Sequence, residues 1–515
     1  MQTRAERRGP SALAGAGLAL ALATGGVDCV AQDADWRIVP TLAIQETWTD
    51  NVNLRRDGPA RSDFVTEIAP GLRINVKRPR AEITGTLAAP IVLYARSSGE
   101  NTVQPRADLV GRLEAIDDFF FVEAAGYVSQ QFVSPYGPRP EGLANITDNR
   151  YTAATYRVSP YVQGELFGNL RYLVRDDNIW TQLHRSTLAN QRVYTNRLTG
   201  RIERNPTPIG WDAEVTSAQH EFPDEAGSQK SQLLRGRALY QPDPQWRVFV
   251  SGGYERTRVP LNEHEGGIYG LGFDWRPTDR TSVDASWEHR FFGGAYKFRF
   301  EHRTRLTSWS IRASRDITSY PEQLARLEPG ASLPDILDAL FLSRIPDPVE
   351  RAQAISSYIA DRNLPLVVGD PIAIYTQRIQ LRESATATAG FLGARNTVLI
   401  SVYRAKTDPL EVSGDLLPST FDRINNDTQV GVSIVWTHAL TPTASLTLAA
   451  NSSTAETKAP VAGKSDQQSY RLIVSRPLSP KTSTFAGARY QQQNSDFDRG
   501  FHESAVFIGM SHSFR

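Results

Sequence analysis

The sequence predicts an all-β fold: a large antiparallel up-and-down transmembrane β-barrel of about 22 strands, within a range of about 18 to 24, with one helical insert. Three observations predict it. Apolar and polar residues alternate with a period of two along most of the chain, which is typical of strands with two different faces. A unit of two strands and a loop recurs every ~35 to 45 residues. The N-terminus has the composition of an export signal.

Residues 1–31 are predicted to be a secretory signal peptide, and residues 32–515 the barrel. Three arginines precede the apolar stretch Ser11–Ala23, and cleavage is expected after Ala31. The apolar stretch is shorter than the ~20 residues that a membrane-spanning helix needs. Cys29 is the only cysteine, so the mature chain would hold neither a disulfide nor a thiolate metal site. An exported protein of this size suits the outer membrane of a Gram-negative bacterium.

The predicted strands follow one another in a regular rhythm. The first five are expected at Trp36–Trp48, Phe64–Val76, Ile83–Tyr94, Leu109–Ala115 and Phe119–Phe132. Short turns with proline, such as Trp275–Thr278 and Leu440–Thr443, end many strands, because proline presets a turn and cannot donate to a ladder. Longer loops are expected outside the cell, starting near Asp50, Ser134, Asp176, Phe222, Asp408 and Asn494.

The hairpin around Val283–Arg303 has the clearest two-faced pattern, with a predicted turn at Gly293-Gly294. A barrel in a membrane turns apolar residues to lipid and polar residues to its lumen. The residues predicted to face lipid are Trp287, Phe298 and Phe300. The residues predicted to line the lumen are Asp284, Glu288, Arg290, Lys297, Arg299, Glu301 and Arg303. Their mixed signs fit a hydrated wall for a large polar solute, or a salt-bridged interior.

Residues 319–371 interrupt the strand pattern and predict a helical insert. Leu333–Ser343 has helical spacing, and Asp347 followed by Pro348 and Glu350 is a helix start. The second helix should run to about Arg362. An insert at this position would form an extracellular cap, a plug in the lumen, or a small ordered loop subdomain without a gating role.

The last strand, Val506–Phe514, ends in an aromatic residue followed by Arg515. A terminal strand of this kind is what a barrel presents to the assembly machinery of the outer membrane. Lipid of the outer membrane and that machinery are therefore the expected partners.

No motif of known chemistry appears. The sequence lacks a phosphate-binding loop, a nucleophile elbow and a zinc-protease motif, and its eight histidines are scattered. With 57 basic and 56 acidic residues, it gives no reason to expect a nucleic-acid partner. We therefore expect no catalytic residue, no cofactor, no metal and no enzyme activity.

Several segments resemble the PEP-CTERM system-associated outer-membrane protein family. They are Trp36–Pro40, Glu46–Val52, Glu67–Gly71, Val128–Pro138, Leu337–Phe341 and Pro346–Arg351. The resemblance covers most of the mature chain. It implies a place in exopolysaccharide export or envelope assembly, and with it components of an exopolysaccharide export system as partners.

These observations lead to a porin-like or export barrel as the expected function. A non-conducting structural or assembly protein of the outer membrane is the alternative. A barrel enzyme acting on lipid or glycan is the second alternative.

Overall fold

The computed structural model describes residues 36–55, 60–184, 191–222, 228–259, 262–325, 333–342, 344–361, 371–373, 375–376, 378–410, 425–459, 462–497 and 500–514. These residues form a closed antiparallel β-barrel of 22 strands, which confirms the predicted fold class. The predicted signal peptide, with Cys29, lies outside the described residues.

The first half of the barrel consists of strands joined by alternating short turns and longer connections. Its elements are β1 (Trp36–Thr49), β2 (Asp63–Arg78), β3 (Ala81–Ala88), β4 (Ile91–Tyr94), a short 3₁₀ turn (Ser98–Glu100), β5 (Thr102–Val103), β6 (Arg106–Ile116), β7 (Phe120–Phe132), β8 (Arg150–Leu166), β9 (Leu170–His184), β10 (Gln191–Arg204), β11 (Ile209–Glu221) and β12 (Ser228–Asp243).

The second half contains the insert. Its elements are β13 (Trp246–Val259), β14 (Asn262–Thr278), β15 (Thr281–Arg290), β16 (Gly293–Arg303), β17 (Thr307–Thr318), α1 (Tyr320–Leu324), α2 (Leu333–Phe341), α3 (Pro348–Asp361), β18 (Gln380–Leu392), β19 (Asn396–Pro409), β20 (Asn425–Thr441), β21 (Ala444–Ala459), β22 (Gly463–Ser479), β23 (Thr482–Ser495) and β24 (Phe501–Ser513).

The first and last strands close the barrel. β1 pairs with β2 along its whole length and with β24 from Thr41↔Ser513 to Thr49↔Ala505. The 24 segments make 22 strands because β3 and β4 both pair with β2 as one interrupted strand, and β5 continues the line of β6. Pro90, which cannot donate to a ladder, lies at the interruption. Within the described residues, closure gives each of the 22 strands a partner on both sides.

Alternate residues give the barrel two chemically different faces. Residues directly opposite each other on paired strands share a face, so each register extends the pattern around the wall. The outer face carries exposed apolar side chains, as in β13, where Trp246, Val248, Val250 and Tyr254 are exposed in succession. The inner face carries most of the charged side chains described below.

The two-faced hairpin is formed by β15 and β16, but its turn differs from the prediction. Arg290 pairs with Gly293, so Phe291 and Phe292 form the turn and Gly293-Gly294 begins β16. The predicted turn was wrong because Gly293, at φ 95°, supplies the left-handed conformation at the end of the turn and not in its centre.

A second correction concerns Asp176, which was expected to start a loop. It lies inside β9, on the outer face, and accepts hydrogen bonds from the amides of Asn178 (2.8 Å) and Asn196 (2.6 Å). The neighbouring Asp177 lies on the inner face and accepts hydrogen bonds from Ser159 and Arg175. Polar residues that resemble a loop in sequence are held within a strand by these contacts.

The predicted helix at Asp347 is present as α3, and the Asp347 carboxylate accepts a hydrogen bond from the N–H of Glu350 (2.8 Å). The short helix α1, just after β17, was not predicted. Among the described residues, no helix is both long and apolar enough to cross a bilayer.

Closure by β1 and β24 can be tested with a disulfide. Ala43 and Ser511 face each other across the closing pair, and opposite positions of an antiparallel pair lie within the range that a disulfide spans. We expect Ala43→Cys with Ser511→Cys to form a bond that changes the mobility of the unfolded chain on non-reducing gels. The control, Ala43→Cys with Ala505→Cys, places the thiols six residues out of register and should stay reduced. Equal cross-linking of both pairs would contradict the closure.

Candidate functional site: the plugged lumen

The inner face of β9–β17 is a charged wall in which arginines bridge acids on neighbouring strands. Arg235 of β12 lies between Glu214 of β11 (3.7 Å) and Glu288 of β15 (2.8 Å). Arg237 donates to both oxygens of Asp212 (2.8 and 3.0 Å). These ion pairs run around the wall and tie neighbouring strands together.

Arg290 is the most enclosed of these bridging groups. It donates from Nε to Glu255 Oε2 (2.9 Å) and from Nη1 to Asp316 Oδ1 (2.5 Å), so it joins β13, β15 and β17. Glu255 is buried and also accepts a hydrogen bond from the N–H of Phe291 (3.0 Å). Removal of either carboxylate would leave a buried charge poorly compensated.

The structure places the other predicted lumen residues on the same face by register. Lys297 and Asp284 lie 3.8 Å from Asp316 and Arg276 respectively, and Glu301 lies 3.1 Å from Arg312. The remaining two differ in their contacts: Arg299 is exposed, and Arg303 donates to the carbonyl oxygen of Asp279 (2.9 Å).

The three predicted lipid-facing residues lie on the opposite, outer face. Trp287 is 42 % exposed and Phe298 is 37 % exposed, whereas Phe300 is half-buried against its neighbours. Trp287 pairs with the aromatic Tyr296, and Phe298 pairs with the small Ala285.

The inner face of β18–β24 is chemically different toward the short turns, because hydroxyl groups replace most of the charges there. Cross-strand hydroxyl pairs recur at Thr437 and Thr447 (3.1 Å), Ser445 and Ser475 (2.8 Å), and Ser483 and Ser511 (2.7 Å). Toward the short turns, the lumen therefore has one charged wall and one neutral polar wall.

Helices α2 and α3 lie inside the barrel, against the neutral wall. Leu337, Leu340 and Ile355 of these helices pack into one apolar cluster with inward residues of the wall, which are Leu392, Leu399, Val435 and Ala449. The approach is close: a Cβ on Gly390 would lie 2.7 Å from a methyl group of Leu340. Glycine at position 390 leaves the space that the helix needs.

Helix α1 is held on the other side of the lumen by buried polar contacts. Glu322 forms an ion pair with Arg197 of β10, and the Tyr320 hydroxyl is hydrogen-bonded to that of Tyr151. Burial disfavours the charged form of Glu322, but Arg197, His220 and hydrogen bonds from Ser319 outweigh burial and lower its pKa below the usual value. The carboxylate is therefore ionised at neutral pH.

The described residues between 371 and 379, which leave out 374 and 377, make contacts on both sides of the lumen. At one end, Ile372 exchanges hydrogen bonds with Gln429 of β20 (2.8 and 3.0 Å). Further along, Tyr375 donates to Gln191 of β10 (3.1 Å), and the N–H of Ile379 donates to Gln229 of β12 (2.9 Å). Strands β20 and β10 lie on opposite sides of the 22-stranded barrel, so Ile372 and Tyr375 contact opposite sides of its wall.

A second segment, the inward loop at residues 133–149 between β7 and β8, also folds into the lumen. Tyr136 donates to Asp427 of β20 (2.5 Å). Asn145 donates to Glu503 of β24 (3.1 Å) and accepts from Arg489 of β23 (3.0 Å). The sequence predicts a loop here, on the extracellular side, from its proline, glycine and asparagine content. That composition does not specify whether the loop folds into the lumen.

Comparison with solved structures shows the class of fold. The F3-3 variant of the FrpB iron transporter from Neisseria meningitidis is similar with a TM-score of 0.50 and 8 % identity, over 92 % of this chain and 82 % of that one. For the siderophore receptor PiuA from Acinetobacter baumannii, the TM-score is 0.47 and the identity 6 %, over 92 % of this chain and 82 % of that one. For OccK9 from Pseudomonas aeruginosa, the TM-score is 0.34 and the identity 10 %, over 93 % of this chain and 98 % of that one.

At such low identity the likeness is one of fold alone: this chain is a large closed β-barrel. No protein-family model matches the chain, and no curated protein matches it by sequence.

The Glu322–Arg197 contact should hold α1 in the lumen. Glu322→Gln leaves Arg197 without its counter-charge and should weaken α1 docking by about 3 kcal/mol. Hydrogen exchange of residues 319–325 in the folded barrel would measure this. Arg197→Met combined with Glu322→Leu removes both charges and should recover much of the protection. Unchanged exchange in Glu322→Gln would show that other contacts hold the helix.

The same contact predicts a pH dependence. The pKa of Glu322 is lower in the folded protein than in the unfolded chain, where it is close to 4.5. The stabilisation that ionised Glu322 gives to α1 is therefore present above about pH 4.5, and it is lost as the pH falls through the pKa that Glu322 has in the folded protein. Protection of α1 should decrease in acid for the native chain, and this decrease should be smaller in Glu322→Gln.

Proposed function

We propose that this protein is an outer-membrane β-barrel of a Gram-negative bacterium that passes a polar solute through its lumen when the inward segments move. The observation that carries the proposal is that the inward segments fill only part of the lumen. The apolar helices cover part of the neutral wall, whereas the charged wall opposite is held together by its own ion pairs. A wall of this kind offers hydrated groups to a solute without one dominant sign.

The outer face supports a position in a membrane. On β1, the exposed apolar side chains run from Trp36 through Ile38 and Ile44 to Trp48. Twelve residues of strand at ~3.4 Å each, tilted by about 40°, span about 30 Å, which is close to the thickness of a bilayer core. Aromatic residues at both ends of such a band are typical of membrane interfaces. The end with short turns would face the periplasm, and the signal peptide at residues 1–31 would direct export.

The sequence resemblance to the PEP-CTERM system-associated family supports a link to exopolysaccharide export. On this proposal the solute is related to a polysaccharide, and the partners are the barrel assembly machinery, outer-membrane lipid and components of an exopolysaccharide export system. Co-purification of the detergent-extracted barrel with the other proteins of such a system would test this link. If chemical cross-linking before extraction also captured none of these proteins, the link to exopolysaccharide export would be contradicted.

The alternative function is a non-conducting structural protein of the outer membrane. The observation that favours it is the pair of segments folded into the lumen, residues 133–149 and the insert that ends at Ile379. Both are fixed to distant strands by hydrogen bonds. Conductance of a barrel without its insert separates the two functions.

The insert can be removed without breaking the barrel, because Thr318 of β17 and Gln380 of β18 face each other in register. We expect replacement of residues 320–378 by a short glycine-serine turn to give stable, large conductance steps in planar bilayers, while the native chain conducts weakly. Trp287→Ala, on the outer face, serves as the control and should behave like the native chain. A deletion variant that folds but remains silent would refute passage and favour the structural function.

The membrane position predicts a depth dependence of charged substitutions on one strand. Val250, in the middle of the outer face of β13, is 62 % exposed. Val250→Arg should destabilise the barrel in lipid vesicles by about 2 to 4 kcal/mol, and Tyr254→Arg, near the predicted interface, by about 0 to 1 kcal/mol. Urea titrations of folding into vesicles measure both. Equal effects would contradict the proposed lipid band.

A further inference from the structure

Four arginines lie within electrostatic reach of one carboxylate in the lumen, beneath the inward loop. The Glu67 carboxylate of β2 interacts electrostatically with Arg106 of β6, Arg471 of β22, Arg489 of β23 and Arg150 at the start of β8. Among the described residues, Glu67 itself accepts only a long hydrogen bond, from the Gln45 amide (3.4 Å). One weakly held carboxylate therefore lies among four guanidinium groups.

Arg106 is the member of this group that is open to the lumen. It lies on the inner face, opposite Ala88 of β3, and its side chain is exposed although the barrel encloses it. Within the described part of the chain it makes no hydrogen bond, and Glu67 is the acid with which its charge interacts. Its exposed guanidinium fork therefore remains accessible within the lumen, and this fork is the group that best matches a carboxylate.

Arg471 and Arg489 face each other directly across β22 and β23. Two like charges in this position repel unless acids compensate them. Arg489 is fully compensated, since it donates to both oxygens of Glu503 (3.2 and 2.7 Å) and to Asn145.

Arg471 is compensated much less well. Its counter-charge comes from Glu141 of the inward loop, at 3.7 Å. Within the described part of the chain, the Nε of Arg471 and both carboxylate oxygens of Glu141 are buried without a hydrogen-bond partner. Good arginine–carboxylate pairs are shorter and share two hydrogen bonds. The Glu141 carboxylate thus lies where a bound anion would lie, but it does not form the hydrogen bonds to Arg471 that a well-placed carboxylate would form.

We propose that Arg106 and Arg471, with Arg150 and Arg489 behind them, form a binding site for a carboxylate-bearing solute in the lumen, and that Glu141 is a placeholder which the solute displaces. The site lies at the base of the inward loop, so an incoming carboxylate and the loop compete for Arg471. This inference rests on the proposed function in that the lumen is the solute's path, and it adds the chemical class of the solute.

Binding to the full-length barrel in detergent tests the site without any need for conduction. The probes are hexagalacturonate, which has a carboxylate on each ring, and maltohexaose, a neutral chain of the same length. Calorimetric titration should show binding of the first and none of the second. Loss of one arginine–carboxylate contact in Arg106→Gln should weaken the affinity about tenfold or more. Glu141→Gln removes the competitor and should strengthen it.

Arg106→Gln is the sharpest variant, because its side chain has no hydrogen bond to lose in the described part of the barrel. Arg80→Gln, in the exposed short turn between β2 and β3, is the control and should bind like the native chain. Heat-dependent gel mobility verifies that each variant is folded. Equal binding of the two oligosaccharides, or an unchanged affinity in Arg106→Gln, would overturn the site. Binding without conductance in any variant would refute passage and leave the site supported.

Discussion

Backbone hydrogen bonding between the first and last strands is the constraint on which the rest of this structure depends. Each strand between β1 and β24 has a partner on both sides, and the pairing of Thr41–Thr49 with Ala505–Ser513 supplies the last one. A closed wall satisfies its own polar backbone groups, so its outer face is free to be apolar and its inner face free to be charged. The arginine bridges, the neutral wall and the enclosed helices all require that closure.

The wall was largely predictable from the sequence because its information is local. Alternation of Trp287 and Phe298 with Glu288 and Lys297 indicates the period of a strand, and the number of short turns indicates the approximate number of strands. The start of α3 was equally readable, since Asp347 contacts a residue only three positions away. Elements that depend on contacts between residues close in the sequence can be predicted without knowledge of the fold.

The contents of the lumen were not predictable for the opposite reason. Glu322 in α1 is defined by Arg197, and Asn145 by Glu503, partners that are 125 and 358 residues distant. Asp176 and Asp177 resemble a loop until Asn196 and Ser159 are placed beside them. In each case, the hydrogen-bond partner of the polar side chain lies on another strand, and no pattern in the neighbouring sequence indicates which strand that is. The arginines around Glu67 come from four separate strands, and only the register brings them together.

The inward loop has a consequence for the order in which the molecule assembles. Its anchors, Asp427, Arg489 and Glu503, belong to β20, β23 and β24, whereas the loop itself belongs to the first third of the chain. The hydrogen bonds that hold the loop in the lumen can therefore form only after these C-terminal strands have taken their places in the wall.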